Sequence, residues 1–254
     1  MVKKIVTLLL FISANIYAIE IKNISEAINI AGKQRMYTQR LLKDYAMIGM
    51  QNRFGNPEKD LKKIIKNFED HLNALDTFNK QGETKAKIQE AKNAWQQIKP
   101  MLKKSPSAAN AAILQGNLEK LLKTSDEITR LFAAQSHSTT GEIINISGRQ
   151  RMLSQRMASL YMLKAWGLKD PQFKKKLKDA MQLFKTSLDK LLHYKKNTPE
   201  ITALLQKAKR DFMFFEIMGK SHSKFIPALI YKKSNEILKN MNQATHLYAQ
   251  LKTN

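Results

Sequence analysis

The chain has 254 residues, of which 44 are basic and 21 acidic, so its formal net charge at neutral pH is +23. It contains no cysteine, which excludes disulfides, thiol catalysis and cysteine-ligated metal sites. Such a charge favours anionic partners, among them nucleic acid, anionic membrane surfaces and small anions. Since no nucleic-acid-binding motif, phosphate-binding glycine loop or catalytic triad pattern occurs, we expect neither nucleic-acid binding nor enzymatic activity.

Residues 1–18 have the pattern of a secretory signal peptide. Lys3 and Lys4 form a basic start, the apolar run from Ile5 to Ile12 is too short to span a bilayer, and Ala18 ends a plausible cleavage site. We therefore predict an exported, periplasmic protein, with an uncleaved anchor as the lesser alternative. The remaining residues, 19–254, are enough for one or two domains.

Apolar residues recur at helical spacing in eight stretches that are separated by glycine, proline or asparagine. The predicted helices cover residues 24–51, 58–79, 84–102, 108–135, 142–168, 172–194, 200–218 and 225–251. Asn23 and Glu26 predict a capping box for the first helix, and Thr139 and Glu142 predict one for the fifth. Long helices with short connections are typical of antiparallel bundles, so the predicted fold class is all-α.

The strongest feature is a thirteen-residue signature block that occurs twice. Its sequence is INIAGKQRMYTQR at residues 28–40 and INISGRQRMLSQR at residues 144–156, so nine positions are identical at an offset of 116 residues. The offset persists beyond the block, because Leu121-Leu122-Lys123 matches Ile237-Leu238-Lys239. We therefore predict a first copy, residues 19–137, and a second copy, residues 138–254. Each is expected to be a four-helix bundle, with the two in tandem and related by a pseudo-twofold axis.

Arginine is concentrated in the signature blocks, which hold five of the eight arginines of the chain. Arg35 and Arg151 lie on the heptad seam of their helices, where an apolar residue is expected. A buried guanidinium needs a partner, and no acid lies on either seam within a turn. We predict that Arg35 and Arg151 face each other between the copies and hold one small oxyanion. The alternative is that each arginine turns outward or meets an acid from another helix.

Three further pairs of equivalent residues complete the predicted anion site. They are Asn29 and Asn145, Gly32 and Gly148, and Gln39 and Gln155. The glycines permit close helix approach, and the glutamines lie one turn after the arginines, within reach of the guanidinium or the anion.

Outside this site the sequence predicts structural roles only. Arg40 and Arg156 lie about 140° around the helix from the seam arginines and are predicted to pair with another helix of their own bundle. No catalytic residue, cofactor or metal site is predicted, because the five histidines show neither metal-ligand spacing nor paired carboxylates.

The pattern Ile-Asn-x-(Ala/Ser)-Gly-x-Gln-Arg-Met-x-(Ser/Thr)-Gln-Arg resembles the signature of the PilJ-type domain. This is the N-terminal periplasmic domain of type IV pili methyl-accepting chemotaxis transducers, and it is similar to the sensor domain of NarX- and NarQ-type nitrate and nitrite receptors. The resemblance implies antiparallel four-helix bundles with the ligand between two first helices, held by the arginine that precedes methionine, here Arg35 and Arg151. It extends over nearly the whole chain after residue 18.

Two functions from different classes follow from these observations. The first is a periplasmic sensor-type protein that binds a nitrate- or nitrite-like anion. It would signal through a membrane receptor or another periplasmic protein, because no transmembrane helix or output module follows the domain. The second is a non-enzymatic adapter or structural component of a periplasmic or type IV pilus chemosensory assembly. A third, weaker interpretation is lysine-mediated contact with anionic lipid or cell-wall polymer.

Overall fold

The computed structural model describes residues 19–80, 82–220 and 226–251, with the side chains of 218–220 left out of the description. These residues form eight α-helices and no strand, which confirms the predicted all-α fold. The helices are α1 (Ile24–Gly49), α2 (Pro57–Phe78), α3 (Gly82–Leu102), α4 (Ala108–Gln135), α5 (Thr139–Ala165), α6 (Phe173–Leu192), α7 (Pro199–Lys220) and α8 (Pro227–Gln250).

The predicted signal peptide, residues 1–18, lies outside the described residues. In the part of the chain that is described, no helix combines the length and the hydropathy that crossing a membrane requires.

The helix starts follow from short polar caps. Asn23 accepts a hydrogen bond from the backbone of Glu26 at 2.9 Å, as the predicted capping box requires. The predicted start of α5 is wrong, because the helix begins three residues earlier and its N-cap is Ser138. A Cβ at Gly141 would lie 1.9 Å from the Ser136 hydroxyl, so glycine permits this tight turn. Only residues 136–138 therefore separate α4 from α5.

The two helices that carry the signature blocks, α1 and α5, lie at the centre and pack against each other more extensively than any other pair. α1 also packs against α2 and α4, α5 against α6 and α8, α3 against α4, and α7 against α8. Because neighbours cover α1 and α5 on nearly every side, polar residues of the blocks are buried together with the apolar ones. Burial of each large apolar side chain contributes about 1.5–3 kcal/mol to holding this arrangement together.

The sequence repeat is also a repeat of contacts. Gln34 donates its side-chain amide to the carbonyl of Phe68 at 3.0 Å, and Gln150 donates to the carbonyl of Phe184 at 3.0 Å. Phe68 stacks on Trp95, with ring centroids 4.3 Å apart, and Phe184 stacks in the same way on Phe212 at 4.5 Å. Each block helix is thus tied to the next helix by the same residue at the same offset.

Alanine substitution at two helical glycines is expected to have opposite effects. A Cβ at Gly49 would lie 2.1 Å from the indole of Trp166, whereas a Cβ at Gly116 would meet nothing within 4 Å. We expect Gly49→Ala to lower the free energy of unfolding by about 1–3 kcal/mol through overpacking. Gly116→Ala is expected to raise it by about 0.5–1 kcal/mol through helix propensity. Urea unfolding measures both, and stabilisation by Gly49→Ala would contradict the tight contact with Trp166.

Candidate functional site

The helices α1 and α5 approach most closely where the two signature glycines meet, a point we call the crossing. A Cβ added at Gly32 would lie 3.9 Å from the Gly148 Cα, 2.9 Å from Arg151 Nη2 and 3.3 Å from Arg35 Nη2. A Cβ at Gly148 would lie 3.0 Å and 3.3 Å from the same two nitrogens. The absence of both side chains therefore lets the two guanidinium groups converge on one spot between the helices.

Each arginine reaches across the crossing to the asparagine of the other block. Arg35 donates through Nη1 to Asn145 Oδ1 at 2.8 Å and through Nη2 to the Asn145 carbonyl at 3.1 Å. Arg151 makes the same pair of bonds to Asn29, at 2.8 Å and 3.0 Å. Both arginine side chains are fully buried. This exchange links α1 to α5 directly, through residues that the sequence assigned to the site.

The two seam arginines, Arg35 and Arg151, differ in the charge of the side chains that bond to them. Arg35 Nη1 lies 2.6 Å from Asp126 Oδ1 on α4, so the sequence-based alternative of an acid from another helix holds for Arg35. The residue at the equivalent position on α8 is Asn242, whose Oδ1 accepts from Arg151 Nη1 at 3.3 Å. Arg151 therefore bonds only to neutral groups among the described residues.

Asp126 is moreover shared with two further arginines. Its carboxylate lies 3.3 Å from Arg130 and 3.5 Å from Arg149, in addition to Arg35. One carboxylate thus faces three guanidinium groups on its side of the crossing. The site as a whole carries an excess of positive charge, which favours an anion.

The pKa values of the basic groups around the crossing are lowered, mainly by burial and secondly by neighbouring cations. Burial, together with the charge of Arg35, lowers the pKa of Arg151 to about 9. Burial lowers the pKa of Arg35 to about 10, with Asp126 opposing the shift. Burial and then Arg151 lower the pKa of Lys33 to about 8, and burial, Lys33 and Arg151 lower that of His71 to about 3. Each of these cationic forms is disfavoured by its surroundings, so a bound anion would relieve all of them.

Hydrogen-bond donors are also left over at the crossing. The Nε–H groups of Arg35 and Arg151 are buried and have no acceptor in the described part of the chain. An unpaired buried donor costs about 1–3 kcal/mol, which a hydrogen-bonded ligand can recover. Oxyanions suit such groups because guanidinium donors bond to them with charge assistance.

The two glutamines that the sequence placed in the site lie elsewhere. Gln39 Oε1 accepts a hydrogen bond from Ser159 at 3.2 Å, and Gln155 Oε1 accepts one from Lys43 Nζ at 2.7 Å. Gln155 also donates to the Ser234 carbonyl at 2.9 Å. Neither glutamine makes a hydrogen bond to a seam arginine among the described residues, whereas the asparagines, glycines and arginines meet at the crossing.

The second arginine of each block makes an ion pair with an outer helix. Arg40 pairs with Asp60 on α2, with Nε 2.9 Å from Oδ2, as expected for a partner within the same copy. Arg156 pairs with Glu119 on α4 at 2.7 Å, and α4 belongs to the first copy. The prediction of a partner in the same bundle is therefore wrong for Arg156, because α4 also contacts α5.

A buried lysine was missed in the sequence. Lys43 is fully buried, and its Nζ donates to Gln155 and Asn235 at 2.7 Å each. The same nitrogen lies 4.1 Å from the centroid of the Tyr231 ring, an arrangement typical of a cation–π contact. Burial lowers the pKa of Lys43 to about 8. The signal for its burial was the uncharged residue Ser159 at the equivalent position of the second copy.

The neighbouring Asp44 is buried as well. Burial raises its pKa well above the usual range, and neither of its oxygens has a hydrogen-bond partner among the described residues. Burial would also raise the pKa of Asp60, but the charge of Arg40 lowers it overall. The described residues contain no cluster of His, Asp and Glu that could hold a metal ion.

Comparison with known proteins gives one match. A family model described as the N-terminal domain of type IV pili methyl-accepting chemotaxis transducers, PilJ, matches residues 20–127 and 132–210. Both signature blocks lie inside the matched segments. No curated protein and no solved structure shows significant similarity to the chain.

Exchanging the acid and the amide beside the two arginines is expected to change stability in opposite directions. Asp126→Asn leaves Arg35 without its carboxylate, and we expect the free energy of unfolding to fall by about 1–3 kcal/mol. Asn242→Asp gives Arg151 a carboxylate at a position that already bonds it, and we expect a gain of about 1 kcal/mol.

Urea unfolding at low salt measures both changes, and the double variant controls for the total charge. We expect the free energy of unfolding of the double variant to lie between those of the two single variants. If Asn242→Asp destabilises as much as Asp126→Asn, then Arg151 is not an uncompensated cation.

The buried lysines are expected to make stability depend on pH. The pKa of Lys43 is about 8 in the folded chain and 10.5 in the reference state, so above pH 8 the unfolded chain holds more protons. Stability must then rise with pH up to about 10.5, by at most about 1.4 kcal/mol per pH unit for this group. The pKa of Lys33 is lowered in the same direction, so this lysine also makes the stability rise with pH over this range.

The measurement is the slope of the free energy of unfolding between pH 8 and 9.5. We expect Lys43→Met to reduce this slope. The control is Lys175→Met on the exposed face of α6, which also removes one charge. An unchanged slope in Lys43→Met would contradict the burial of a protonated amine at this position.

Proposed function

Because the chain belongs to the PilJ family of type IV pili methyl-accepting chemotaxis transducer N-terminal domains, we propose that it is a sensor that binds a small anion. Domains of this family are sensory rather than catalytic, which agrees with a protein that is not an enzyme. The ligand we propose is a nitrate- or nitrite-like oxyanion bound at the crossing by Arg35 and Arg151. Asn29, Asn145, Gly32 and Gly148 would form the rest of the site.

One observation carries this proposal. Two fully buried arginines converge on the same pair of glycines, and within the described ranges only Arg35 has a carboxylate partner. Buried cations of like sign repel each other, and an anion between them reverses the sign of the interaction. A small planar oxyanion also matches the geometry in which guanidinium groups donate.

The proposed mechanism is a population shift. The arginines bond to Asn29 and Asn145 and so hold α1 and α5 in the relative position described above. An anion that attracts both guanidinium groups competes with these bonds and favours a different packing of the two helices. The ligand can shift this equilibrium only by the difference in its affinity for the two arrangements.

The two copies, residues 19–137 and 138–254, are in this proposal antiparallel four-helix bundles in tandem, related by a pseudo-twofold axis that passes near the crossing. The contacts repeated at an offset of 116 residues support this arrangement. We further propose that residues 1–18 direct export to the periplasm. The signal would pass to a membrane receptor or another periplasmic protein, with membrane surface contact through the positive charge.

The adapter function is the second candidate, and a specific observation favours it too. The arginine–asparagine exchange already satisfies four of the guanidinium donors and fastens α1 to α5 without any ligand. In that case the arginines serve helix packing, and the protein acts through a surface that binds other components of a chemosensory assembly.

Thermal denaturation separates the two candidates. Residues 19–254 are heated with nitrate, nitrite, sulfate, phosphate or small carboxylates at constant ionic strength. A ligand that binds only the folded state stabilises it by about 2.7 kcal/mol at one hundred times its dissociation constant. We expect nitrate or nitrite to raise the melting temperature selectively, and Arg151→Gln to abolish the response.

Two variants make this test specific. Asn242→Asp supplies an internal carboxylate to Arg151, so we expect a higher melting temperature without anion and a loss of the response. Arg210→Gln, on an exposed position of α7, is the control and should respond like the parent. If no anion acts, or if all variants respond alike, the adapter function is the better account.

A further inference from the structure

A second concave site lies away from the crossing, between the first half of α4 and the turn from α5 to α6. We call it the turn cavity, and its volume is about 640 Å³. Small residues of α4 form one wall, and the residues that follow α5 form the other. The lining consists of Ala108, Ala112, Gln115, Gly116, Glu119, Gly167, Leu168, Lys169, Asp170, Phe173 and Lys176.

The equivalent place, between α8 and the turn from α1 to α2, is occupied by aromatic rings. There, Tyr231 on α8 packs against this turn and is 3% exposed. Its ring contacts that of Phe54 edge-on, with centroids 6.1 Å apart. Its hydroxyl donates to Asp60 Oδ2 at 3.4 Å.

The offset of 116 residues shows why the turn cavity is open. Gln115 on α4 is equivalent to Tyr231 on α8, and Asp170 after α5 is equivalent to Phe54 after α1. Two rings are thus replaced by shorter polar side chains around the same helix–turn contact. A Cβ added at Gly116 or Gly167 would meet nothing within 4 Å, so no other side chain fills the space at these walls.

Gln115 points to a ligand independently of the shape. Its side chain is only 8% exposed and lines the cavity. Its amide makes no hydrogen bond with the described residues and is not sealed from the cavity, so it is available to bond to a molecule bound there. A mostly apolar cavity with one such convergent polar group is the common form of a small-molecule site.

The charges indicate what the ligand carries. Asp60, which receives the Tyr231 hydroxyl, is replaced at the equivalent position by Lys176. Lys176 already bonds to Asp170 at 2.8 Å, and Glu119 is neutralised by Arg156 at 2.7 Å. Lys169 is exposed at the rim. The second copy also has 22 basic and 8 acidic residues, so its field favours an anionic ligand.

We propose that the turn cavity binds a small monocyclic aromatic acid. The ring takes the place that the Tyr231 ring occupies at the equivalent contact between α8 and the α1–α2 turn, and lies over Ala112 and Gly116. The acidic group lies toward Lys176 and accepts a hydrogen bond from Gln115. The chain would then have two separate sites of different chemistry, one for an inorganic oxyanion at the crossing and one for an aromatic carboxylate here.

Calorimetric titration of residues 19–254 with benzoate tests this proposal. We expect benzoate to bind, and benzamide and acetate, which lack the charge or the ring, to bind at least about tenfold more weakly. Lys176→Gln should weaken benzoate binding about tenfold, because a charge-assisted bond is lost. Lys185→Gln, an exposed charge elsewhere on α6, is the matched control and should bind like the parent.

The occluding variant is Gln115→Tyr, which gives α4 the residue that α8 carries at the equivalent position, Tyr231. We expect it to abolish benzoate binding while the melting temperature is unchanged or higher. If Gln115→Tyr does not fold, Ala112→Phe, which occludes the same space, is used in its place. Benzoate binding that survives occlusion, equal binding of benzamide, or no binding of benzoate at all would overturn the proposal.

Arg151→Gln separates this site from the crossing, because benzoate is also a small carboxylate. If the turn cavity binds benzoate, this variant keeps the binding and only the response to inorganic anions is affected. Loss of benzoate binding in Arg151→Gln would place the ligand at the crossing and overturn the turn cavity proposal.

Discussion

The reciprocal bonds between Arg35 and Asn145 and between Arg151 and Asn29 are the constraint on which the rest of the structure depends. They require the backbones of α1 and α5 to approach until the two glycines touch, and they fix the rotation of both helices. Once α1 and α5 are set, the outer helices cover their remaining faces. A guanidinium is an unusual residue for a helix seam, because its burial is costly unless its donors are paired. Here the carbonyl and amide of the opposite helix supply that pairing.

Around this symmetric centre the chain has become asymmetric. At positions that are equivalent in the repeat, Asp126 corresponds to Asn242, Lys43 to Ser159 and Gln115 to Tyr231. Each difference moves charge or volume to one side: the acid lies beside Arg35, the buried lysine lies on α1, and the open cavity lies between α4 and the turn from α5 to α6. In a dimer of two identical chains, by contrast, each substitution would appear in both halves, so the two sides could not differ in this way.

Features that depend on local sequence were predicted well. The eight helices follow from apolar periodicity and turn residues, and the convergence of Arg35 and Arg151 follows from the heptad seam and the repeat. The carboxylate at Asp126 was not found, because which residue of α4 meets Arg35 depends on how α4 is rotated and shifted against α1. The early start of α5 depends on the contact between Gly141 and Ser136, and the burial of Lys43 on its bonds to α5 and α8. Such features require the relative placement of distant helices, which spacing in one segment does not encode.

The three-residue connection between α4 and α5 has a consequence for how the proposed anion site would respond to dilution. When two separate chains each contribute one arginine, occupancy of a shared site falls as the protein becomes scarce, because the pair must first associate. Here one polypeptide supplies both arginines, so the two halves of the proposed site are present in equal numbers and at a high local concentration. The ligand concentration that the proposed site requires would then be set by its affinity and would not vary with the amount of protein.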